Sequence, residues 1–212
     1  MNTAREQILK RIRDASGSLP ASRESESEGL VREYRTIRTL NLDARLDLLV
    51  DRLHDYGAMV YRCAEPGLNQ AVASVIAGRA KSALLIPPDL PKTWLPEGFR
   101  FRSDRELTYS EMDASEGVLT GCALAIAVTG TIVLRHSSGE GRRTLTLIPD
   151  YHLCIVRANQ VVETVPEGIR EMARFKGVPL TTISGPSATS DIEMTRVQGV
   201  HGPRILDVIL VE

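Results

Sequence analysis

The chain has 212 residues, a formal net charge of −1 and 42% hydrophobic residues. A chain of this length buries roughly 70% of its unfolded surface as one domain, so it needs no disulfide or metal staple. Near-neutral charge and an aromatic content of 4% exclude a basic nucleic-acid face and a base-stacking platform, and leave Ala, Val, Leu and Ile to build the core.

Residues 3–15 have the spacing of an amphipathic helix, with Ala4, Ile8 and Ile12 on one side. Ser16–Leu30 is polar, charged and poor in branched apolar residues, and reads as a linker. Residues 1–40 are therefore expected to form an N-terminal helical extension and linker, and residues 41–212 the main domain. Leu42, Leu46, Leu49 and Leu53 recur on one helix face, and Gly57 is placed to stop that helix. Ala58–Tyr61 reads as a strand, residues 67–80 as a helix with Leu68, Val72, Val75 and Ile76 inward, and Ala83–Ile86 as a second strand.

Gly117–Leu134 carries no formal charge and is long enough to suggest a membrane span. Its three glycines, its three threonines and the turn Thr129-Gly130-Thr131 instead predict two buried strands and no membrane span. Gly117–Val156 as a whole reads as strand-rich and hairpin-like. Leu180–Ile183 is expected as a strand, Asp191–Val197 as a short helix and Ile205–Val211 as the last strand. The alternation of helix and short strand predicts an α/β fold with an open, mostly parallel, layered sheet.

The three cysteines, Cys63, Cys122 and Cys154, are widely spaced without C-x-x-C. No disulfide framework, no iron–sulfur cluster and no other cofactor is expected in this chain, and the cytoplasm is the expected compartment. The N-terminus lacks the apolar core of a signal peptide. His54, His136, His152 and His201 show no metal-ligand spacing, so no metal site is expected. Gly139-Glu140-Gly141 lacks the third glycine of a dinucleotide fingerprint.

Three polar, glycine-punctuated loops remain. In Ser137–Arg143, glycines let backbone N–H groups turn inward, and Arg142 and Arg143 offer forked donors to a carboxylate or phosphate; a solvated hairpin is the plainer alternative. Ser184–Glu193 follows a predicted strand and opens a predicted helix, a place where anions bind. Ser190 and Glu193 also fit a capping box, which leaves Ser187, Thr189 and Asp191 for other work. In Gly199–Arg204, His201 between glycines is placed to approach a ligand, or else begins a turn. His152, at a strand start, is a minor candidate, and Cys122 is expected to be an inert buried thiol.

Ala123–Leu134, Gly141–Val156 and Ser184–Glu212, with TGT, GRR, PDYH, GPS-x-T-x-DIE and G-x-HGP in order, resemble the lactate-utilisation domain family. The resemblance runs from about residue 40 to the end. It implies a fold similar to the sugar-isomerase and CoA-transferase-like proteins. It also implies a part in converting L-lactate to pyruvate beside iron–sulfur partner proteins, with this chain as the cluster-free subunit. Thr129 and Gly130 of TGT join Arg142, Arg143, Ser187 and Thr189 as candidate ligand-binding residues, with Asp191 and His201 as candidate catalytic ones. The family commonly has an acidic residue directly before TGT, where this chain has Val128.

Three readings follow. The first is a complex subunit that binds a small carboxylate or phosphate, with the arginines as clamp and His201 as proton shuttle. The second is a stand-alone isomerase or transferase acting on a phosphosugar or acyl-CoA, for which Glu116 and Asp191 are the candidate acids. The third is a scaffold recruited through the N-terminal helix. Homo-oligomerisation is left open.

Overall fold

The computed structural model describes residues 4–16, 36–137, 139–186, 188–189, 197–198 and 202–212. The chain divides into two compact units, Met1–Tyr34 and Arg35–Glu212. The described residues of the first form α1 (Ala4–Ser16); residues 1–3 and 17–35 lie outside the described ones.

The second unit opens with α2 (Leu42–Asp55). Asn41 caps it by accepting from the Ala44 N–H at 2.9 Å. Its end is a Schellman motif: Gly57 donates to the His54 carbonyl and Ala58 to that of Leu53. Leu46, Leu49 and Leu53 are fully buried, each worth roughly 1.5–3 kcal/mol of transfer free energy. Leu42, expected on the same face, is exposed because it sits in the first turn, beyond the core's edge.

β1 (Met59–Cys63), α3 (Leu68–Gly78), β2 (Ala83–Ile86), β3 (Arg100–Ser103), α4 (Tyr109–Asp113) and β4 (Val118–Thr120) follow. Then come β5 (Leu124–Ile126), β6 (Thr131–Arg135), β7 (Tyr151–Arg157), β8 (Val161–Val162), α5 (Val165–Met172), β9 (Leu180–Ile183), β10 (Ala188–Thr189), β11 (Val197–Gln198) and β12 (Ile205–Val211). Six strands form a parallel sheet in the order β1-β12-β7-β4-β2-β3. A second sheet, β8-β5-β6-β9, is mostly antiparallel, and β10 pairs antiparallel with β11.

The central strands read as unbroken apolar runs because both faces are covered. From β7, Tyr151, Leu153 and Ile155 pack with Val72, Val75 and Ile76 of α3. Cys154 and Val156, on the opposite face, pack with Leu46, Leu49 and Leu53 of α2 and with Ala125, Ile132 and Leu134 of the second sheet. The architecture is thus an α/β fold of two sheets, with a helix on the outer face of the parallel one.

Three expectations need correction. Gly117–Leu134 holds three strands, not two, and they divide between the sheets: β4 belongs to the parallel sheet, while β5 and β6 form the hairpin. Leu180–Ile183 pairs antiparallel with β6 and is not part of the parallel sheet. Val197, expected to end a helix, is a strand residue held by its pairing with Thr189; residues 190–196 lie outside the described ones. Among the described residues no helix is long and apolar enough to cross a membrane.

Candidate functional site

A cleft of about 240 Å³ opens where the amino ends of β7 and β12 meet the end of β9. Arg143 and Thr146 of the turn before β7 line it, with His152 near the start of β7 and Leu206 near the start of β12. Thr181, Thr182 and Ile183 of β9 line the facing side, followed by Ser184, Gly185 and Pro186, and Gly202-Pro203 closes the rim. The walls therefore offer hydroxyls and one guanidinium: Arg143 carries the only formal charge among the described lining residues.

Local structure fixes these groups. Gly185 has φ +82° and a Cβ there would lie 2.4 Å from Cβ of Tyr56, so only glycine lets the chain turn against α2 at this point. Gly130 behaves alike: its φ is +59° and an added Cβ would meet Cβ of Arg52 at 2.8 Å. The turn it makes sets Thr129 Oγ1 2.8 Å from Thr131 Oγ1, which lies 2.9 Å from Ser184 Oγ on the cleft. Thr129 and Gly130 thus reach the cleft through a row of hydroxyls rather than by lining it.

The two neighbouring arginines part company. Arg142 Nε and Nη2 bind the Asp104 carboxylate at 2.9–3.0 Å, and Nη2 also donates to the Leu107 carbonyl at 2.7 Å. Arg142 is absent from the cleft wall and works as a clamp between the turn and the end of β3. Arg143 lines the cleft, and among the described residues its side chain has no hydrogen-bond or ion-pair partner. The two arginines expected to act together are therefore separated: Asp104 engages Arg142, and Arg143 alone lines the cleft.

His152 is buried, and its Nε2 lies 2.8 Å from Thr120 Oγ1 of the neighbouring β4, two residues along from its register partner Val118. Its Nδ1 is buried without a partner. The Cys122 thiol, in the loop leaving β4, donates to Gln160 Oε1 at 3.5 Å, and its interaction with the neighbouring Cys154 thiol, followed by burial, pushes its pKa up. His136 links the glycine turn to β9. Its Nδ1 donates to the Gly141 carbonyl (3.3 Å), since a carbonyl only accepts, and its Nε2 lies 2.7 Å from Thr181 Oγ1, a hydroxyl able to donate or accept.

Two carboxyls set limits on acid–base chemistry. Glu116 accepts from the N–H and hydroxyl of Ser82 (2.6 and 3.0 Å) and from the Ala83 N–H. Those backbone donors hold its pKa below the ordinary value, so it serves as a cap on β2 and is poorly suited to donate a proton. Glu140 is buried within the glycine turn, with Oε2 lacking a hydrogen-bond partner and 3.7 Å from Arg135 Nε. Burial pushes its carboxyl up to about 7 against the pull of Arg135. The sequence reading valued this turn for its arginines and passed over Glu140; its flanking glycines, which bring backbone and carboxylate inward together, were the available signal.

His201, Asp191 and Ser187 lie outside the described residues, and of Thr189 only the backbone, in β10, is described. The chain stands at the cleft at Pro186 and again at Gly202, immediately beside Ser187 and His201. Among the described residues no group of three or more His, Cys, Asp or Glu could hold a metal ion.

Comparison with known proteins fits this architecture. The sequence profile of the LUD domain matches residues 46–211. The chain belongs to the LUD domain family. Lactate utilization protein C of Deinococcus radiodurans is 48% identical over 164 residues, covering 76% of each chain. Lactate utilization protein C of Bacillus subtilis is 26% identical over 200 residues, covering 84% of this chain and 83% of the relative. A crystal structure of a DUF162 family protein from Deinococcus radiodurans superposes with a TM-score of 0.71 at 39% identity, over 82% of this chain and all of that one. The match begins within α2, so α1 lies outside the profile.

Proposed function

We propose that this LUD domain chain is the cluster-free subunit of a system that oxidises L-lactate to pyruvate, and that its cleft receives the small carboxylate. The observation that carries the reading is Arg143, a guanidinium with no partner among the described residues, in a cleft that also presents the hydroxyls of Thr146, Thr181, Thr182 and Ser184. A forked guanidinium matches a carboxylate with two parallel hydrogen bonds. Ser184 and Thr182 lie on the facing side of the same cleft, where a second polar end of the ligand would fall. Oxidation of lactate releases two electrons and two protons; in this reading the electrons pass to iron–sulfur partner proteins. The names of several relatives support the pathway.

The rival reading, a stand-alone isomerase or transferase, needs a positioned acid or nucleophile. Glu116 is committed to Ser82 and Ala83, which leaves that reading with less support. The test is to tag the protein in its native host, grow cells on L-lactate and identify what co-purifies. Recovery of iron–sulfur proteins with lactate-oxidising activity is the expected result. A chain that comes down alone, with no lactate oxidation restored by remixing, overturns the subunit reading.

A further inference from the structure

A second cavity, of about 360 Å³, shares no residue with the cleft. Arg45 of α2 and Arg38 line it together with Asn159, Gln160, Glu171 and Phe175. Arg45 is unusual among the charged residues: it is only 8% exposed, its Nε is buried without a hydrogen-bond partner, and among the described residues its guanidinium makes no ion pair.

Of the other polar groups on these walls, all but the Asn159 amide are engaged. Arg38 stands 3.5 Å from Glu167. Glu171 pairs with Arg174 at 2.8 Å. The Gln160 amide donates to the Cys122 carbonyl and its oxygen accepts from the Arg157 N–H. Phe175 stacks against the Arg135 guanidinium. Among the described residues, Arg45 is left with no ion-pair partner in a cavity lined largely by polar surface.

Taking a charge out of water without a counter-charge is costly. A lysine or histidine relieves that cost by losing its proton; arginine does not, since its guanidinium stays protonated in proteins. An apolar residue of similar length would fill the same space beside Leu46 and Leu49 more favourably. A buried, unpaired arginine at the wall of a cavity therefore points to a counter-ion that arrives from outside.

We propose that this cavity is a second oxyanion site, in which Arg45 holds the carboxylate or phosphate group of a small molecule and Asn159 on the wall adds an amide donor. Glu171 on the same wall favours a singly charged group over a dianion. The site is independent of the Arg143 cleft, and its occupant would couple α2 to the β7–β8 connection. That placement suits an effector better than a substrate.

The test uses the full chain and two probes, acetate and inorganic phosphate, titrated at constant ionic strength with chloride as control. The thermal midpoint is followed for wild type, for Arg143→Gln, in which the cleft is disabled, and for Arg45→Met and Arg45→Lys each made in the Arg143→Gln background. Wild type and Arg143→Gln are expected to be stabilised by at least one probe, while adding Arg45→Met abolishes the response and adding Arg45→Lys weakens binding at least tenfold. Stronger stabilisation by acetate identifies a carboxylate ligand, and stronger stabilisation by phosphate a phosphorylated one. A response unchanged from that of Arg143→Gln on adding Arg45→Met, or Arg45→Lys should the methionine variant not fold, overturns the proposal. So does the lack of any response in wild type, or a response already lost in Arg143→Gln.

Discussion

Two regions of this molecule use the same kinds of side chain to opposite ends. Around the flanks of the parallel sheet several charges are engaged within the fold: Arg142 with Asp104, Arg79 with Asp207, Glu116 with the start of β2. At the amino ends of β7 and β12, Arg143 and the Nδ1 of His152 have none among the described residues. A polar group satisfied within the fold contributes to stability and is closed to ligands. One left open at a cleft contributes little to stability and is available for binding. The contrast falls between residues 142 and 143, which the sequence alone presents as equivalent.

The largest expected effect probes the closed side. Asp207 is fully buried, takes two bonds from Arg79 at 2.5 and 2.7 Å, and accepts from the Tyr151 hydroxyl at 3.1 Å. Arg79→Met leaves its carboxylate buried without a counter-charge and is expected to cost about 3–5 kcal/mol in urea unfolding, without loss of ligand response. A cost near zero would break the claim that these pairs are structural.

Glu140 comes next. Its pKa in the folded protein, about 7, lies above the ordinary 4.5, chiefly through burial. The folded state therefore binds the proton more tightly than the unfolded one. The resulting stability is fully present below about pH 4.5 and is lost as pH rises through about 7, by on the order of 3 kcal/mol. Glu140→Gln is expected to flatten that slope in unfolding curves taken from pH 5 to 8.5. An identical slope in both proteins would assign the pH dependence elsewhere.

The neighbouring arginines sharpen the contrast directly. Arg142→Ala removes the partner of Asp104, and is expected to cost about 2 kcal/mol while leaving the response to L-lactate intact. Gly130→Ala forces a side chain into a left-handed backbone against Arg52, at about 2 kcal/mol. Arg143→Gln touches no partner and is expected to fall within about 0.5 kcal/mol of wild type in the absence of ligand.

Much of the fold was legible because periodicity reports burial. The α2 leucines, the inward residues of α3 and the last strand all declared themselves by spacing. Sheet membership was not legible: β4 and β5 are short apolar runs only three residues apart in sequence, and nothing local tells that one joins the parallel sheet and the other a hairpin. β3 went unread because it is an edge strand whose alternate residues Arg100 and Arg102 are exposed. Of the stretches that border the cleft, the end of the glycine turn and the residues after β9 were legible, because glycine and hydroxyl clusters mark close backbone approach. The separation of Arg142 from Arg143 was hidden because it depends on Asp104, 38 residues away. The expectation that ligands lie at strand carboxyl ends points to a loop that does line the cleft, but for a different reason: β9 belongs to the second sheet, and the cleft lies at the amino ends of the parallel one.

The central claim is that Arg143, and not its paired neighbour, holds a small carboxylate in the cleft. Isothermal titration of L-lactate into wild type, Arg143→Gln and Arg142→Ala tests it most directly. The account predicts binding to wild type and Arg142→Ala, with affinity at least tenfold weaker in Arg143→Gln. Equal affinity in wild type and Arg143→Gln, or a loss confined to Arg142→Ala, would contradict it.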